Sequence, residues 1–291
     1  MTVSQWTATT AMACVLVLGG AMVRGAEESS PAATPPKAAS DAKAALQSKP
    51  AADSQAATQG KQPSPLDPDI AEAKQRLAEM EKDIKDYSFT MVKRERVGDK
   101  LLDYEAIYTR IRHNPFSVYM YFLTPAAKKG QQVVYIDGQN NGNLIAQPVG
   151  LAGKLGPYHL PTTGLLAMQG QRYPITEIGF VNLTRRLIEA GTDGETTDGV
   201  VVKHYDNVKV KAGSDPRITR LTEVIHPVKR PQDKYHIARI YIDKERNIPI
   251  RFESYDFPKT PGGQPELLEE YTYADVKLNN GFTDADFQIR Q

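Results

Sequence analysis

The chain has 291 residues, with 36 basic and 35 acidic side chains, and its formal net charge of +1 is too small to indicate nucleic acid as the main partner. This length allows one domain of about 200–220 residues with additional segments. The single cysteine, Cys14, lies in an apolar N-terminal segment, so removal of that segment would leave no thiol. Disulfide bonds, cysteine nucleophiles and cysteine metal sites would then be excluded from the mature chain.

Residues 1–26 have the character of an export signal. Apolar and small residues dominate positions 8–23, a run that is too short and too weakly apolar for a membrane span. Small residues at Gly25 and Ala26 suit cleavage by signal peptidase. We therefore expect an exported protein of the periplasm or cell envelope. The alternative is an uncleaved segment that anchors the chain in a membrane.

Residues 27–66 are dominated by Ala, Pro, Ser, Lys, Gln and Asp, with almost no large apolar side chain. Such a composition buries too little surface to offset the entropy of ordering the chain. We predict a disordered linker at 27–66, followed by one folded domain at 67–291.

The domain begins with a predicted amphipathic helix of about five turns. Asp67 is a suitable N-cap, and Pro68 fits the first helical position. Apolar residues then recur at spacings of three and four, which places them on one helical face. These residues are Ile70, Ala73, Leu77, Met80, Ile84 and Tyr87.

Alternating segments predict strands after this helix. They are residues 87–97, 101–112, 116–123, 131–136 and 143–146. In the third of these segments every even position is apolar, so the even positions should face a core or a cavity. These positions are Phe116, Val118, Met120 and Phe122.

Residues 147–173 form a long predicted loop that is rich in glycine and proline. A loop of this length within a domain is usually functional or a lid. Residues 174–190 predict a second helix, with Ile178, Val181 and Leu187 on its inward face.

The remaining chain predicts strands again, at residues 200–210, 218–226, 235–242, 248–255 and 267–277. Turns of hairpin length separate them, so the sheet should be antiparallel. About ten strands in one open sheet would curl strongly. The predicted fold class is α+β, with a strongly curved antiparallel sheet, a half-barrel, whose concave face is covered by helices.

Three stretches resemble the LolA/LolB-like periplasmic lipoprotein carriers. They are the leading helix that runs into residues 87–90, the hairpin at 242–252 and the terminal segment at 282–287. More closely, NPFSVYM at 114–120 and RYPITEIG at 172–179 resemble a bacterial family, domain of unknown function 1571. The resemblance covers about residues 87–287 and implies the carrier fold, although that family has no assigned activity and a fold does not determine a function.

No motif of a nucleophile elbow, a phosphate loop or a dinucleotide site is present in the sequence. The histidines follow no metal-ligand spacing, and His226 and His236, which flank a turn, are interpreted as surface or strand-pairing residues. An enzyme would need polar groups that converge in a cavity, and the sequence pattern does not indicate them. We therefore predict no catalytic residue, no metal and no cofactor.

The apolar side chains are the better functional candidates. They either fill a core or line a cavity for an acyl chain, whose burial contributes about 0.8 kcal/mol for each methylene group. Arg239 has two interpretations: it faces inward, towards lid carbonyls or a lipid head group, or it reaches water at the rim. The predicted cavity residues are Ile107, Phe116, Val118, Met120, Phe122, Ile178, Val181, Leu187, Arg239, Ile250 and Phe252.

The leading hypothesis is a non-enzymatic envelope protein that binds a lipid or a lipoprotein acyl chain. Its cavity would lie between the curved sheet and a helical lid, and it would meet a membrane only transiently or through an uncleaved N-terminal segment. The alternative hypothesis is a protein-interaction or envelope-stress-sensing module on the same fold, with a filled core and no ligand. The two hypotheses differ in the volume left between the helices and the sheet.

Overall fold

An open antiparallel sheet is the main element of the fold. The computed structural model describes residues 63–193, 197–214 and 216–290, which lie within one unit from Gln59 to Gln291. The predicted export signal and the predicted linker up to residue 62 lie outside the described residues. The strands are β1 (Asp86–Val97), β2 (Lys100–Leu101), β3 (Glu105–Arg112), β4 (Ser117–Thr124), β5 (Gln132–Ile136), β6 (Asn143–Gln147), β7 (Tyr158–Pro161), β8 (Val201–Lys211), β9 (Pro216–Ile225), β10 (Ile237–Asp243), β11 (Pro249–Asp256) and β12 (Glu266–Leu278).

The sheet has 12 strands in the order β7-β6-β5-β4-β3-β1-β12-β11-β10-β9-β8, with β2 paired to β1 beside this path. The first long strand and the last strand meet at its centre, where Lys93 of β1 is the register partner of Tyr271 of β12. The strands β7 and β8 lie at the two ends of the path, so the sheet is not closed. The prediction of an antiparallel sheet is confirmed, and β2 and β7 were not predicted.

The described α-helices are α1 (Asp67–Asp83), α2 (Gly150–Gly153) and α3 (Phe180–Thr192). The helix α1 begins at Asp67, so its N-cap is Leu66 and not the predicted Asp67. It ends before Ile84, which has extended backbone angles of φ -105 and ψ 116. Tyr87 already belongs to β1. The apolar periodicity therefore continues from the helix into the strand, which made the predicted helix too long.

The predicted helix at 174–190 needs a correction at its start. Residues Ile175–Glu177 form a short 3₁₀ turn, and α3 begins only at Phe180. Gly179 separates the two elements with φ +100, a backbone conformation that side chains with a Cβ rarely adopt. A Cβ there would lie 2.2 Å from the Tyr87 Oη atom, so the close approach to the sheet requires glycine.

The largest buried cluster joins both long helices to one face of the sheet. Met80 of α1 and Phe180 of α3 are buried in it together with Tyr87, Phe89 and Met91, the alternate residues of β1. The rings of Tyr87 and Phe180 stack with their centroids 4.0 Å apart. The start of α3 is therefore fixed to the centre of the sheet by aromatic packing, a contact that stabilises beyond the area it buries.

The apolar even positions of the Phe116–Phe122 segment face this cluster, as predicted. Val118 and Phe122 are buried in it, and Phe116 and Met120 pack against it. On the other face of the same strand, Tyr119 is also buried, so both faces of β4 are covered.

Tyr119 is covered by the C-terminal segment, which lies on the other face of the sheet. Phe287 is buried with Tyr119 and with Val134 of β5. The carboxylate of Asp86 accepts backbone N–H groups from Asn280 at 2.6 Å and Phe282 at 3.1 Å. The terminal segment therefore closes the fold through a buried acid as well as an aromatic side chain.

We expect the substitution Gly179→Ala to lower the free energy of unfolding by about 2–6 kcal/mol. The backbone conformation of φ 100 and ψ 162 is almost exclusive to glycine and contributes roughly 1–3 kcal/mol of strain, and the clash with Tyr87 adds about 1–3 kcal/mol. Urea unfolding followed by circular dichroism measures the change.

The matched control is Gly199→Ala, since Gly199 also has a positive φ but has no atom within 4 Å of the added Cβ. It should cost only the strain. Equal losses in the two variants would contradict the close approach of Gly179 to the sheet.

Candidate functional site

A cavity of about 1550 Å³ lies between the helices, the 147–179 segment and one face of the sheet. Typical small-molecule pockets have volumes of roughly 300–1,000 Å³. Protein interiors otherwise contain few voids larger than a water molecule. A space of this size is therefore a candidate binding site and not a packing irregularity.

Most of the cavity wall is apolar, and it is built from distant parts of the chain. The helices contribute residues such as Ile70 and Leu187, the 147–179 segment contributes residues such as Leu166 and Ile178, and the sheet contributes most of the large apolar side chains. Sheet residues with large apolar side chains in the wall are Met91, Met120, Phe122, Val133, Leu144, Leu160, Val224, Ile240, Ile242, Phe252 and Tyr273.

Small residues explain why this space stays open. Ala73 on α1, Ala146 on β6, Ala167 in the loop and Ala238 on β10 all line the cavity. An alanine leaves unoccupied the space that leucine or phenylalanine would fill at the same position. Where the large rings of Tyr87 and Phe180 meet, by contrast, the helix and the sheet are in contact.

The predicted cavity residues fall into two groups. In the first group, the wall contains Met120, Phe122, Ile178, Leu187 and Phe252. In the second group, the large cluster buries Ile107, Val118, Val181 and Ile250, and Phe116 packs against that cluster. The second group shares a sheet face or helix with the first, but its side chains fill the core beside the cavity.

Arg239 lies on the other face of the sheet. Its neighbours Ala238 and Ile240 line the cavity, and strand residues alternate between faces. The Arg239 guanidinium pairs with Glu223 at 2.7 Å and with Glu253 at 3.7 Å. Neither interpretation from the sequence anticipated this ion pairing, which holds the arginine between adjacent strands.

A group of polar side chains interrupts the apolar wall, and we call it the polar cluster. Its members come from the end of β1, the end of the long loop and the start of β12. The polar cluster consists of Lys93, Glu95, Gln171, Arg172, Tyr173, Glu269 and Tyr271, all of which line the cavity.

Glu269 is the main acceptor of the polar cluster, and its side chain is only 5% exposed. Its Oε1 accepts hydrogen bonds from the hydroxyls of Tyr173 at 3.0 Å and Ser254 at 2.9 Å. Its Oε2 accepts from Arg172 Nε at 3.1 Å, and the Tyr271 hydroxyl, whose single proton goes to Glu95, lies 3.3 Å from the same oxygen. Glu269 therefore ties the end of the long loop to the centre of the sheet.

The same carboxylate affects the acidity of its partners. Burial, together with the negative charge of Glu269, raises the pKa of Tyr173 to about 12. Burial and the carboxylates of Glu269 and Glu95 raise the pKa of Tyr271 well above its usual value. Both hydroxyls therefore remain protonated at neutral pH and act as donors to the carboxylates.

Lys93 makes the second connection between the sheet and the loop. Its Nζ donates to Glu95 Oε2 at 2.9 Å and to the side-chain oxygen of Gln171. Glu105 Oε2 lies 3.6 Å away on the adjacent strand β3. The Lys93 side chain is 5% exposed, so the sheet buries its charge among acids.

The polar cluster was not predicted from the sequence. The sequence pattern that comes closest to indicating it is the alternation along β1. Lys93 and Glu95 lie on the same strand face as the buried Tyr87, Phe89 and Met91. Charged residues on the apolar face of a strand indicate buried charge that needs partners. The partners themselves lie far away in the sequence, in the loop and in β12.

The paired histidines lie away from the cavity wall. His226 donates its backbone N–H to the His236 carbonyl at 2.8 Å, and the Nδ1 of His236 lies 2.8 Å from the His226 carbonyl. Burial lowers the pKa of His226, although Asp233 nearby opposes this change. Within the described residues, no group of three or more His, Cys, Asp or Glu side chains could hold a metal ion.

The long loop exposes leucine side chains beside the cavity. Leu151 and Leu155 are each 81% exposed, Leu165 is 94% exposed, and Leu166, which also lines the cavity, is 69% exposed. Exposed apolar patches on soluble domains mark interaction sites. In the described part of the chain, no helix has the length and apolar character needed to cross a membrane.

We expect Tyr173→Phe to lower the free energy of unfolding by about 1–2 kcal/mol, because the buried carboxylate of Glu269 loses a donor. Hydrogen exchange in residues 165–175 should become faster. The control is Tyr158→Phe, whose hydroxyl bonds the Ala152 carbonyl at 3.3 Å in an exposed position, and it should change little. Equal exchange rates in Tyr173→Phe and the unmodified protein would contradict a role for Glu269 in holding the loop.

Several solved structures have similar folds at low sequence identity. The lipoprotein LppX of Mycobacterium tuberculosis is 13% identical, with 75% of this chain and 98% of that chain covered and a TM-score of 0.42. A putative outer membrane lipoprotein-sorting protein domain from Vibrio parahaemolyticus is 12% identical, with 75% and 95% covered and a TM-score of 0.36.

The MucA/MucB complex structure of Pseudomonas aeruginosa contains a chain that is 15% identical, with a TM-score of 0.39. The match covers 76% of this chain but only 60% of that chain. At these identities the similarities concern the fold alone.

No curated protein matches the chain in sequence. A family model described as protein of unknown function, DUF1571, matches residues 84–291, which include the whole sheet and the polar cluster. That match covers well over half of the chain, so the protein belongs to the DUF1571 family.

Proposed function

We propose that this protein is an exported envelope protein that binds a lipid or the acyl chain of a lipoprotein in the cavity between its helices and its sheet. The cavity of about 1550 Å³ is the observation that carries the proposal. Each methylene group moved from water to an apolar wall contributes about 0.8 kcal/mol, so one acyl chain supplies enough free energy without any charged contact.

The location rests on the sequence. The export signal expected at residues 1–26 would direct the chain out of the cytoplasm, and the polar composition of residues 27–66 suits a tether. In the envelope the domain would exchange its ligand with a membrane or with another protein.

In this proposal the cover consists of residues 147–192, which include the long loop and α3. The sheet would present its concave face to this cover. The loop is held at its end by Glu269 and Lys93, and the exposed leucines beside the cavity would contact the donor or acceptor of the acyl chain. Opening would therefore begin with the release of the polar cluster at the end of the loop, while the Tyr87–Phe180 contact would keep the start of α3 on the sheet.

The polar cluster supplies the convergent polar groups that an enzyme would need, but its bonding favours a binding protein. Glu269 accepts hydrogen bonds on both oxygens, and Glu95 accepts from Lys93 on one oxygen and from Tyr271 on the other. A general base needs a carboxylate oxygen that can reach a substrate proton. Both acids are already committed to donors of the protein.

A second candidate function is a protein-interaction or envelope-stress-sensing module. The observation in its favour is the edge strand β8, where Val201 is 43% exposed and Tyr205 is 42% exposed. Exposed edge strands can pair with a strand of another protein. This second hypothesis includes a filled core. The large cavity does not agree with a filled core, so its volume favours the first candidate function.

The test is the uptake of a fluorescent fatty acid by the purified protein and by the variant Met120→Arg. Met120 lines the cavity, so a buried charge in the wall should weaken binding at least about tenfold, which corresponds to about 1.4 kcal/mol. The matched control is Tyr121→Arg, which introduces the same charged side chain one residue later, on the other face of the sheet. This variant should bind the fatty acid like the unmodified protein.

Leu187→Trp gives a second variant that adds bulk to the wall instead of charge, and it should also reduce uptake. Circular dichroism of each variant separates loss of binding from loss of folding. An unmodified protein that takes up no fatty acid and co-purifies with no lipid by mass spectrometry would overturn the proposal. Equal uptake by Met120→Arg and Tyr121→Arg would place the ligand outside the cavity.

A further inference from the structure

We propose that the polar cluster recognises the head group of the ligand, and that this head group carries oxygen acceptors, as a carboxylate or a phosphate ester does. This inference rests on the proposed binding of an apolar chain in the same cavity. It adds the chemical class of the ligand and the residues that select it.

The two carboxylates of the polar cluster are already saturated with hydrogen-bond donors from the protein. The carboxylates of Glu95 and Glu269 accept hydrogen bonds from Lys93, Arg172, Tyr173 and Tyr271. Every one of their oxygens has a donor of the protein. A ligand that offers mainly N–H donors, such as an amine, would have to compete with these donors.

Two donor side chains of the polar cluster, by contrast, still have N–H groups that could bind a ligand. The Gln171 side-chain oxygen accepts from Lys93, but its amide nitrogen has no hydrogen-bond partner within the described residues. Lys93 has three N–H groups, of which one points to Glu95 and one to Gln171. Glu105 Oε2, a buried atom without a hydrogen-bond partner among the residues that the structure describes, lies 3.6 Å from Nζ, so this ion pair is longer than a normal hydrogen bond and leaves the third N–H of Lys93 for a closer acceptor.

These donor side chains lie next to the apolar wall of the cavity. Gln171 and Lys93 both line the cavity, and Met91, two residues before Lys93 on the same strand face, is part of its apolar wall. A chain that packs against Met91 would therefore bring its polar end to Lys93 and Gln171. An amphiphile with one apolar chain and a head group that accepts hydrogen bonds matches this arrangement of an apolar wall beside polar donors.

The burial of charged side chains in the polar cluster is unfavourable for folding. Burying charges in this way seldom stabilises a fold more than apolar packing of similar volume would. Lys93 and Glu95 have side chains that are 5% and 4% exposed, although they border empty volume. Buried charged groups beside a cavity are candidates for ligand recognition, and here the unused groups are donors.

The experiment compares ligands with the same chain and different heads. The ligands are palmitic acid, palmitoyl lysophosphatidic acid, palmityl alcohol and palmitylamine, each below its micelle threshold, with displacement of a bound fluorescent probe as the readout. We expect the two acids to bind at least about tenfold more tightly than the amine, because the head-group contacts are charge-assisted hydrogen bonds. The carboxylate and phosphate arms decide between a free fatty acid and a phospholipid as the source of the head.

The variants test the contact directly. Gln171→Leu should weaken the binding of the preferred acid by about fivefold to tenfold and leave palmityl alcohol nearly unchanged, since an uncharged head loses less with a lost donor. Gln171→Glu keeps an acceptor for Lys93 but introduces a negative charge, so it should weaken the acids further and strengthen the amine. The matched control is Gln169→Leu, the same change at a cavity residue of the same loop.

The outcomes separate the two proposals. If the probe and all four ligands fail to bind, the proposed function itself is overturned. If all four bind with equal affinity, or if Gln171→Leu and Gln169→Leu behave alike, the cavity binds chains but the polar cluster does not select the head. Tighter binding of the amine than of either acid would likewise overturn the inference.

Discussion

The stacking of Tyr87 on Phe180 is the contact on which the rest of the structure depends. It joins the first long strand to the start of α3 with ring centroids 4.0 Å apart, and Gly179 permits the approach because it has no Cβ. Burial raises the pKa of the Tyr87 hydroxyl, and the nearby backbone N–H groups of Val181 and Phe180 oppose this increase.

This contact fixes one side of α3 and leaves the other side over open space. Away from the aromatic rings, the small residues Ala146 and Ala238 form part of the cavity wall. An unfilled apolar volume is unfavourable by about 24 cal/mol for each Å³ in engineered cavities. A ligand that fills the volume and binds only the folded state would recover part of this free energy and raise the stability of the domain.

The sequence predicted the strands well, because alternation with period two is a local property of each strand. It also placed Met120, Phe122 and Phe252 on the face that lines the cavity. The helix at 174–190 was predicted too long at its start, since Gly179 acts through a contact with Tyr87 that no local pattern contains. The polar cluster could not be predicted because it unites residues as distant as 93, 171 and 269, and the volume depends on how far apart the layers lie.

In the proposed complex, the polar cluster would connect closure of the loop with recognition of the ligand. Gln171 uses its oxygen to bind Lys93, which holds the loop on the sheet, while its amide nitrogen stays available to the cavity. In the proposed complex, an acceptor on the ligand would bind both Lys93 and Gln171 and so add a bridge between the loop and the sheet. The head group would then favour the closed arrangement by its differential affinity for that state, and the apolar chain would supply most of the binding free energy.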